Sequence, residues 1–154
     1  MFKKEKMTRI NSAIHVRCLT DEHLLAEHRE IKRLPFCLKE SIRTGSIKRI
    51  PQQFVLGRGH VTFFLDKMEF ARQRYRAIHT ECHLRHFWVE DYEENFVYGI
   101  DEEYQNDYKP TEEERRLLVE RIKERIMNSP KKMWHYNGEP ISKERAIRLL
   151  DAMR

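Results

Sequence analysis

The residue with the greatest chemical reach in this chain is Thr8, in the stretch Met7-Thr8-Arg9-Ile10-Asn11. Processing removes a methionine that precedes a small residue, and here it would leave Thr8 with a free α-amine. Such an amine, with an unperturbed pKa of about 7.8, is roughly one-seventh unprotonated at pH 7, against about 0.04% for a lysine at about 10.4. The α-amine is therefore several hundred-fold better supplied with its nucleophilic form, on the order set by those two pKa values, before any environment acts on it.

Carboxylates and cations gather further along. His23, Glu27 and Glu30 stand at i, i+4 and i+7, one face of a helix. Arg29 and Arg33 form an i, i+4 pair on the adjoining face. A carboxylate flanked by arginines can sit at the centre of a phosphate-binding surface; the same pattern also describes a solvated face laced with ion pairs. His79, Cys82, His83 and His86 share a second helical face. They could be metal ligands or a core cysteine among half-exposed histidines, and one helix seldom closes a tetrahedral site alone. Arg121 and Arg125 are an i, i+4 pair, followed by Lys131, Lys132, Trp134, His135 and Tyr136. Cations position a nucleic-acid backbone and aromatics stack on bases, but Trp134 and Tyr136 could equally be core residues. The chain has no G-x-x-x-x-G-K-[ST], G-x-S-x-G or H-E-x-x-H, so nothing supports P-loop, serine-hydrolase or zincin chemistry.

The elements that must carry these residues read as helices. Thr20 is placed as an N-cap with Asp21 and Glu22 behind it, and a helical pattern runs from about Asp21 towards Arg43, ending at Thr44-Gly45. Gly57 and Gly59 bracket a tight loop. Beyond it Met68, Ala71, Tyr75, Ile78 and Cys82 form an apolar stripe at 3-4-3-4 spacing. Residues 90–107 have no period and read as a long loop. Thr111 and Glu114 form a capping box ahead of a helix burying Leu118, Ile122 and Ile126, which Ser129-Pro130 stops. Ser142 opens a short helix with Ala146, Leu149 and Leu150. The expected fold is all-α: one compact domain of three main helices and a short C-terminal helix, with long structured loops.

Composition narrows the partner. The net charge of +5 is unevenly spread: residues 1–86 carry 18 Lys and Arg against 9 Asp and Glu, residues 87–110 one against 8, and residues 111–154 11 against 8. A basic body with its acids in one loop suits a polyanion-binding face, and it suits a mixed soluble surface too. Three cysteines without a C-x-x-C pair suggest a reducing compartment, and no apolar run of about 20 residues offers a membrane span.

Taken together these residues resemble the pyrimidine-dimer DNA glycosylases of the T-even phage type, the phage "endonuclease V" family. The resemblance starts at Met7-Thr8-Arg9-Ile10-Asn11 and continues through Asp21-x-His23-Leu24-x-Ala26-Glu27-x-Arg29-Glu30 and Arg33. Its strongest block is Leu56-Gly57-x-Gly59-His60-Val61-Thr62-Phe63-Phe64-x-Asp66-Lys67-x-Glu69-Phe70. It extends through Glu81-Cys82 and Asp107-Tyr108-x-Pro110 to Gly138, so it covers about residues 7–140. What it implies is a glycosylase that is also an abasic-site lyase, acting without metal or cofactor. Its partner would be duplex DNA containing pyrimidine dimers or abasic sites, met as a monomer in the cytoplasm of a bacterial or phage-infected cell, at the nucleoid. By resemblance Thr8 supplies the nucleophilic amine and Glu30 the essential carboxylate. Arg9, His23, Arg29 and Arg33 line the site and hold phosphates. Arg121 matches a family arginine, and Arg125 stands where the family has lysine. The resemblance also makes Cys82 a core position. The chain departs from the pattern by an insertion between Asn11 and Asp21, a deletion before Ile50, Arg58 in place of a small residue, Tyr92-Glu93 in place of a hydroxyl-bearing pair, and a longer tail after Gly138.

Residues 1–6 are expected to be a leader or N-terminal extension, 7–140 the glycosylase-like domain and 141–154 its short helical extension. Every Lys and Glu codon consists of purines, so Lys3-Lys4-Glu5-Lys6 is a purine run directly before the Met7 codon, as a bacterial ribosome-binding site would be. Were residues 1–6 retained, the Thr8 nitrogen would lie in a peptide bond. The rival expectation is then a protein that binds damaged DNA, or a glycosylase without lyase action. A metal nuclease built on the 79–86 histidine face is the third.

Overall fold

The computed structural model describes residues 10–153. Thr8 and Arg9, and with them the expectation for residues 1–6, lie outside that span. The described residues are mainly helical, with α1 Asp21–Ile31, α2 Leu34–Thr44, α3 His60–Phe63, α4 Met68–Leu84, α5 Glu112–Asn128 and α6 Lys143–Leu149, and one hairpin of β1 Met133–Tyr136 and β2 Glu139–Ser142. They fall into two compact units: Ile10 with Glu27–Arg76 and Glu90–Lys109, and Asn11–Ala26 with Ala77–Val89 and Pro110 onward.

The long helix expected from Asp21 to Arg43 is two helices, and the break falls in the first unit. The Arg33 amide bonds back only three residues, to Glu30, at 3.2 Å, and the Lys32 amide bond to His28 is stretched to 3.4 Å. Pro35 is the cause: it lacks an N–H and its ring collides with the carbonyl four residues back, so the chain restarts with proline in the first turn of α2. Gly45 ends α2 at φ 81°, the left-handed stop expected of Thr44-Gly45. Ile10, Ile31, Leu34, Leu38, Phe63, Phe64, Met68, Tyr75 and Phe96 are buried core residues of this unit. The 90–107 stretch is loop with two short 3-10 turns, Glu93–Phe96 and Glu102–Tyr104. It is fixed by Tyr75, whose hydroxyl donates to the Glu90 carbonyl at 2.9 Å and accepts the Tyr92 amide at 2.9 Å.

In the second unit Thr20 caps α1, its Oγ1 accepting the His23 amide at 3.1 Å. The capping box forms as expected: Thr111 Oγ1 accepts from the Glu114 amide at 3.1 Å, and Glu114 Oε1 from the Thr111 amide at 3.3 Å. Leu118, Ile122 and Ile126 are buried on α5, and Ile78 and Cys82 on α4. The hairpin is an addition to the expected elements. Asn137 and Gly138 take φ 53° and 83°, the two positive values of the tight turn that Asn-Gly favours. The strands pair Trp134 with Ile141 and Tyr136 with Glu139. Asp21 holds the turn, its two carboxylate oxygens accepting the Asn137 and Gly138 amides at 2.9 and 2.8 Å.

Candidate active site

The two carboxylates that share a face of α1 have different fates. Glu27 is 1% exposed and accepts from both Nε and Nη2 of Arg74, at 2.8 and 3.0 Å. A carboxylate held by two charge-assisted bonds and cut off from water is structural. Glu30, one turn on, keeps 27% of its side chain accessible and lies 3.7 Å from Arg33, itself 63% exposed. Of the pair, Glu30 is the one open to solvent. Arg33 reaches it at i, i+3 from the N-cap of α2. Arg29 is exposed on α1 and has no carboxylate partner among the described residues, whereas Arg72, Arg74 and Arg85 are all paired. Arg58 is likewise exposed in the glycine loop.

In the second unit His23 is oriented on two sides. Its Nδ1 pairs with Thr20 Oγ1 at 2.8 Å, and its ring stacks on Trp134 at 5.2 Å with 8° between planes. Trp134 is 7% exposed and carries Lys131 over its ring at 4.8 Å. Tyr136 lies under the Arg85 guanidinium at 4.1 Å and donates to the Arg17 carbonyl. Of the two readings of this aromatic run, the structure supports core packing for Trp134, while Tyr136 is half-buried. Glu22 secures the same strand: its two oxygens take the His135 amide at 3.0 Å and His135 Nδ1 at 2.8 Å, and Lys131 comes within 3.1 Å. Burial would raise the Glu22 carboxyl, but the bonds from His135, its own backbone and Lys131 overcome that and hold it at about 2. Arg121 and Arg125 are half-buried and exposed on α5.

On the 79–86 face Cys82 is fully buried, and burial pushes its thiol up to about 11. Among the described residues no group of three or more His, Cys, Asp or Glu is placed to hold a metal ion. The Tyr92-Glu93 pair is engaged at home: Glu93 accepts Arg72 at 2.6 Å and Arg76 at 3.2 Å, and Lys32 lies over the Tyr92 ring.

Compared with known protein families, residues 7–93 match the one described as pyrimidine dimer DNA glycosylase. The match spans more than half of the chain. The chain belongs to that family. A pyrimidine dimer DNA glycosylase works on DNA and breaks the bond between base and sugar, so the protein is an enzyme of DNA repair. The matched span includes Thr8, Arg9, His23, Arg29, Glu30 and Arg33, while Arg121 and Arg125 lie beyond it. No helix among the described residues is long and apolar enough to cross a membrane.

Sequence reasoning missed two parts of this site. The locking of Glu27 depends on Arg74, 47 residues away, and no local signal announces it. The hairpin that brings Trp134 to His23 had a signal, Asn137-Gly138 following the alternating Met133–Tyr136.

Proposed function

We propose that this pyrimidine dimer DNA glycosylase is bifunctional: it excises pyrimidine dimers from UV-damaged duplex DNA and nicks the abasic site through a Schiff base on the Thr8 α-amine. The observation that carries the reading is the pairing of an accessible carboxylate, Glu30, with the Arg33 guanidinium at 3.7 Å on the same helix as the locked Glu27. Breaking the glycosidic bond builds positive charge on the sugar, and a nearby carboxylate stabilises it. The unprotonated amine forms a bond to C1′ as the C1′–N bond breaks and the base leaves with that electron pair. Loss of the amine proton and opening of the sugar ring give a protonated imine. The imine acidifies the C2′ proton, Glu30 takes it, and the electron pair expels the 3′ phosphate oxygen. Water then hydrolyses the imine and returns Thr8.

Arg9, Arg29, Arg33, Arg121 and Arg125 act as phosphate contacts in this reading, and His23 as a contact at the lesion. Arginine suits that task because its planar fork binds phosphate in two places. Cationic neighbours also favour the neutral amine, keeping it nucleophilic. The mechanism requires Thr8 to be the mature N-terminus, with residues 1–6 absent from the working enzyme. Borohydride reduction during reaction with a UV-irradiated duplex tests it: a covalent protein–DNA adduct is expected. Base release with no adduct would make the protein a monofunctional glycosylase, and binding without release would make it a damage-binding protein.

A further inference from the structure

The end of α4, in the second unit, holds a side chain that works against the stability of its own turn. The Phe87 amide donates to the Cys82 carbonyl at 2.8 Å and the His86 amide to the His83 carbonyl at 2.9 Å, the paired bonds of a left-handed helix stop. The residue that takes the left-handed turn is His86, at φ 67°. Glycine adopts that conformation freely, and a residue with a Cβ does so at a cost. The His86 ring is exposed and bonds to no other group among the described residues, so it contributes no contact to the fold. Strain that packing does not require is characteristic of functional surfaces. Two residues on stands Trp88, 87% exposed. The His83 ring meets its indole at 76°, with centroids 5.2 Å apart, and lies against His79 at 4.4 Å. Leu84, next to His83 on the helix, is exposed too.

An indole left in water forfeits the burial of a large apolar surface, and the charge around it identifies what covers it. The exposed side chains of residues 77–89 are Ala77, Thr80, His83, Leu84, His86 and Trp88. The one carboxylate of that stretch, Glu81, is buried on Arg85 at 2.9 Å. The acids of the 90–107 loop begin past it, in the first unit. Imidazoles are neutral or cationic, never anionic, so nothing exposed on this stretch repels phosphate. A flat aromatic face among such donors suits a nucleobase and its backbone, and DNA is what this family acts on. We propose that Trp88, with His83 and His86, is a contact for single-stranded DNA: an unpaired base stacks on the indole and the imidazoles donate to flanking phosphate. In a paired duplex the faces of each base are covered by its neighbours in the stack, whereas an unpaired base has a face to lay on the ring.

The probe is an oligothymidylate, with a lesion-free duplex of the same length for comparison; the readouts are tryptophan emission and the anisotropy of a labelled strand. Trp134 is buried, so Trp88 is the tryptophan open to an added strand. Oligothymidylate should quench the emission, and the quench should vanish in Trp88→Phe, which keeps a ring for stacking but not the indole. Trp88→Ala should weaken oligothymidylate binding by about 5- to 150-fold, the worth of one stacked base. Its duplex affinity should stay within about 2-fold, as for an uncoupled surface change. Trp88→Phe should keep most of the single-strand affinity. His86→Gly relieves the strained turn, so it should melt no lower than the unaltered protein. It should bind oligothymidylate about 2- to 10-fold more weakly, for one lost hydrogen bond. Circular dichroism melting of each variant separates a lost contact from a lost fold. An unchanged oligothymidylate Kd in Trp88→Ala would overturn the proposal. So would an equal loss on duplex and single strand, which would make Trp88 a general duplex contact. Emission unmoved by either DNA would also overturn it and leave the patch to a protein partner. A His86→Gly variant that binds as tightly as the unaltered protein would remove His86 from the contact.

Discussion

Replacing Glu27 and Glu30 in turn by glutamine should separate stability from catalysis within a single turn of α1. Glu27 is buried against Arg74, which is 8% exposed and donates to it twice, at 2.8 and 3.0 Å. Glu27→Gln removes the negative charge that faces a buried guanidinium, at a cost of about 3–5 kcal/mol. For a chain of 154 residues, where each kcal/mol shifts Tm by about 2–4 °C, that is a fall of about 6–20 °C. Glu30 sits 3.7 Å from Arg33 with both side chains partly in water. A surface pair of that kind contributes about 0–1 kcal/mol, so Glu30→Gln should melt within about 4 °C of the unaltered protein. Its chemistry should fail instead: removal of a general acid-base group slows the step by about 10²–10⁴-fold. Thermal melting by circular dichroism gives the first quantity. Single-turnover nicking of a duplex with one cyclobutane dimer, at a temperature where both variants are folded, gives the second. Near-normal nicking by Glu30→Gln would remove that residue from its role. A Glu27→Gln variant as stable as the parent would show that the buried pair does not carry the energy assigned to it.

Two further outcomes follow from other residues of α1. Arg29→Ala should weaken binding to dimer-containing duplex and reduce the slope of log Kd against log salt by about 0.9 for one lost phosphate contact; an unchanged slope in fluorescence anisotropy would mean that Arg29 touches no phosphate. Glu22 has its folded pKa depressed to about 2 against about 4.3 unfolded, so the stability it lends is present above about pH 4.3 and is lost as pH falls through about 2. With Trp88→Phe as background, the fluorescence of Trp134 should report loosening of the hairpin across that window, and Glu22→Gln should abolish the acid-side change; an identical acid transition with and without Glu22 would contradict it.

Helices whose signals are local were legible in the sequence. The Met68–Cys82 stripe has one period, and the capping box at Thr111 and Glu114 lies within four residues. The break between α1 and α2 was hidden because Leu24, Ile31, Leu34 and Leu38 keep helical spacing straight through it, and all four are buried; Pro35 was the only warning. The hairpin was overlooked because four-residue strands are too short for a period to stand out, although its Asn-Gly turn was visible. At the site, spacing put Glu27 and Glu30 on one face but could not say which was spent on structure, since the answer lies in Arg74 on α4. His60 stood within the strongest block of the resemblance, yet it accepts the amide of Ile10, 50 residues back. Long-range partners, which no window of sequence contains, decided the last two.

The central claim is that the Thr8 α-amine forms the covalent intermediate. Its most direct test is borohydride trapping on a dimer-containing duplex, followed by proteolysis and tandem mass spectrometry of the cross-linked peptide. The expected result is a reduced deoxyribose adduct on the nitrogen of an N-terminal Thr8, in a mature protein lacking residues 1–6. An adduct on a lysine, a mature chain that retains residues 2–6, or no adduct during active base release would contradict it.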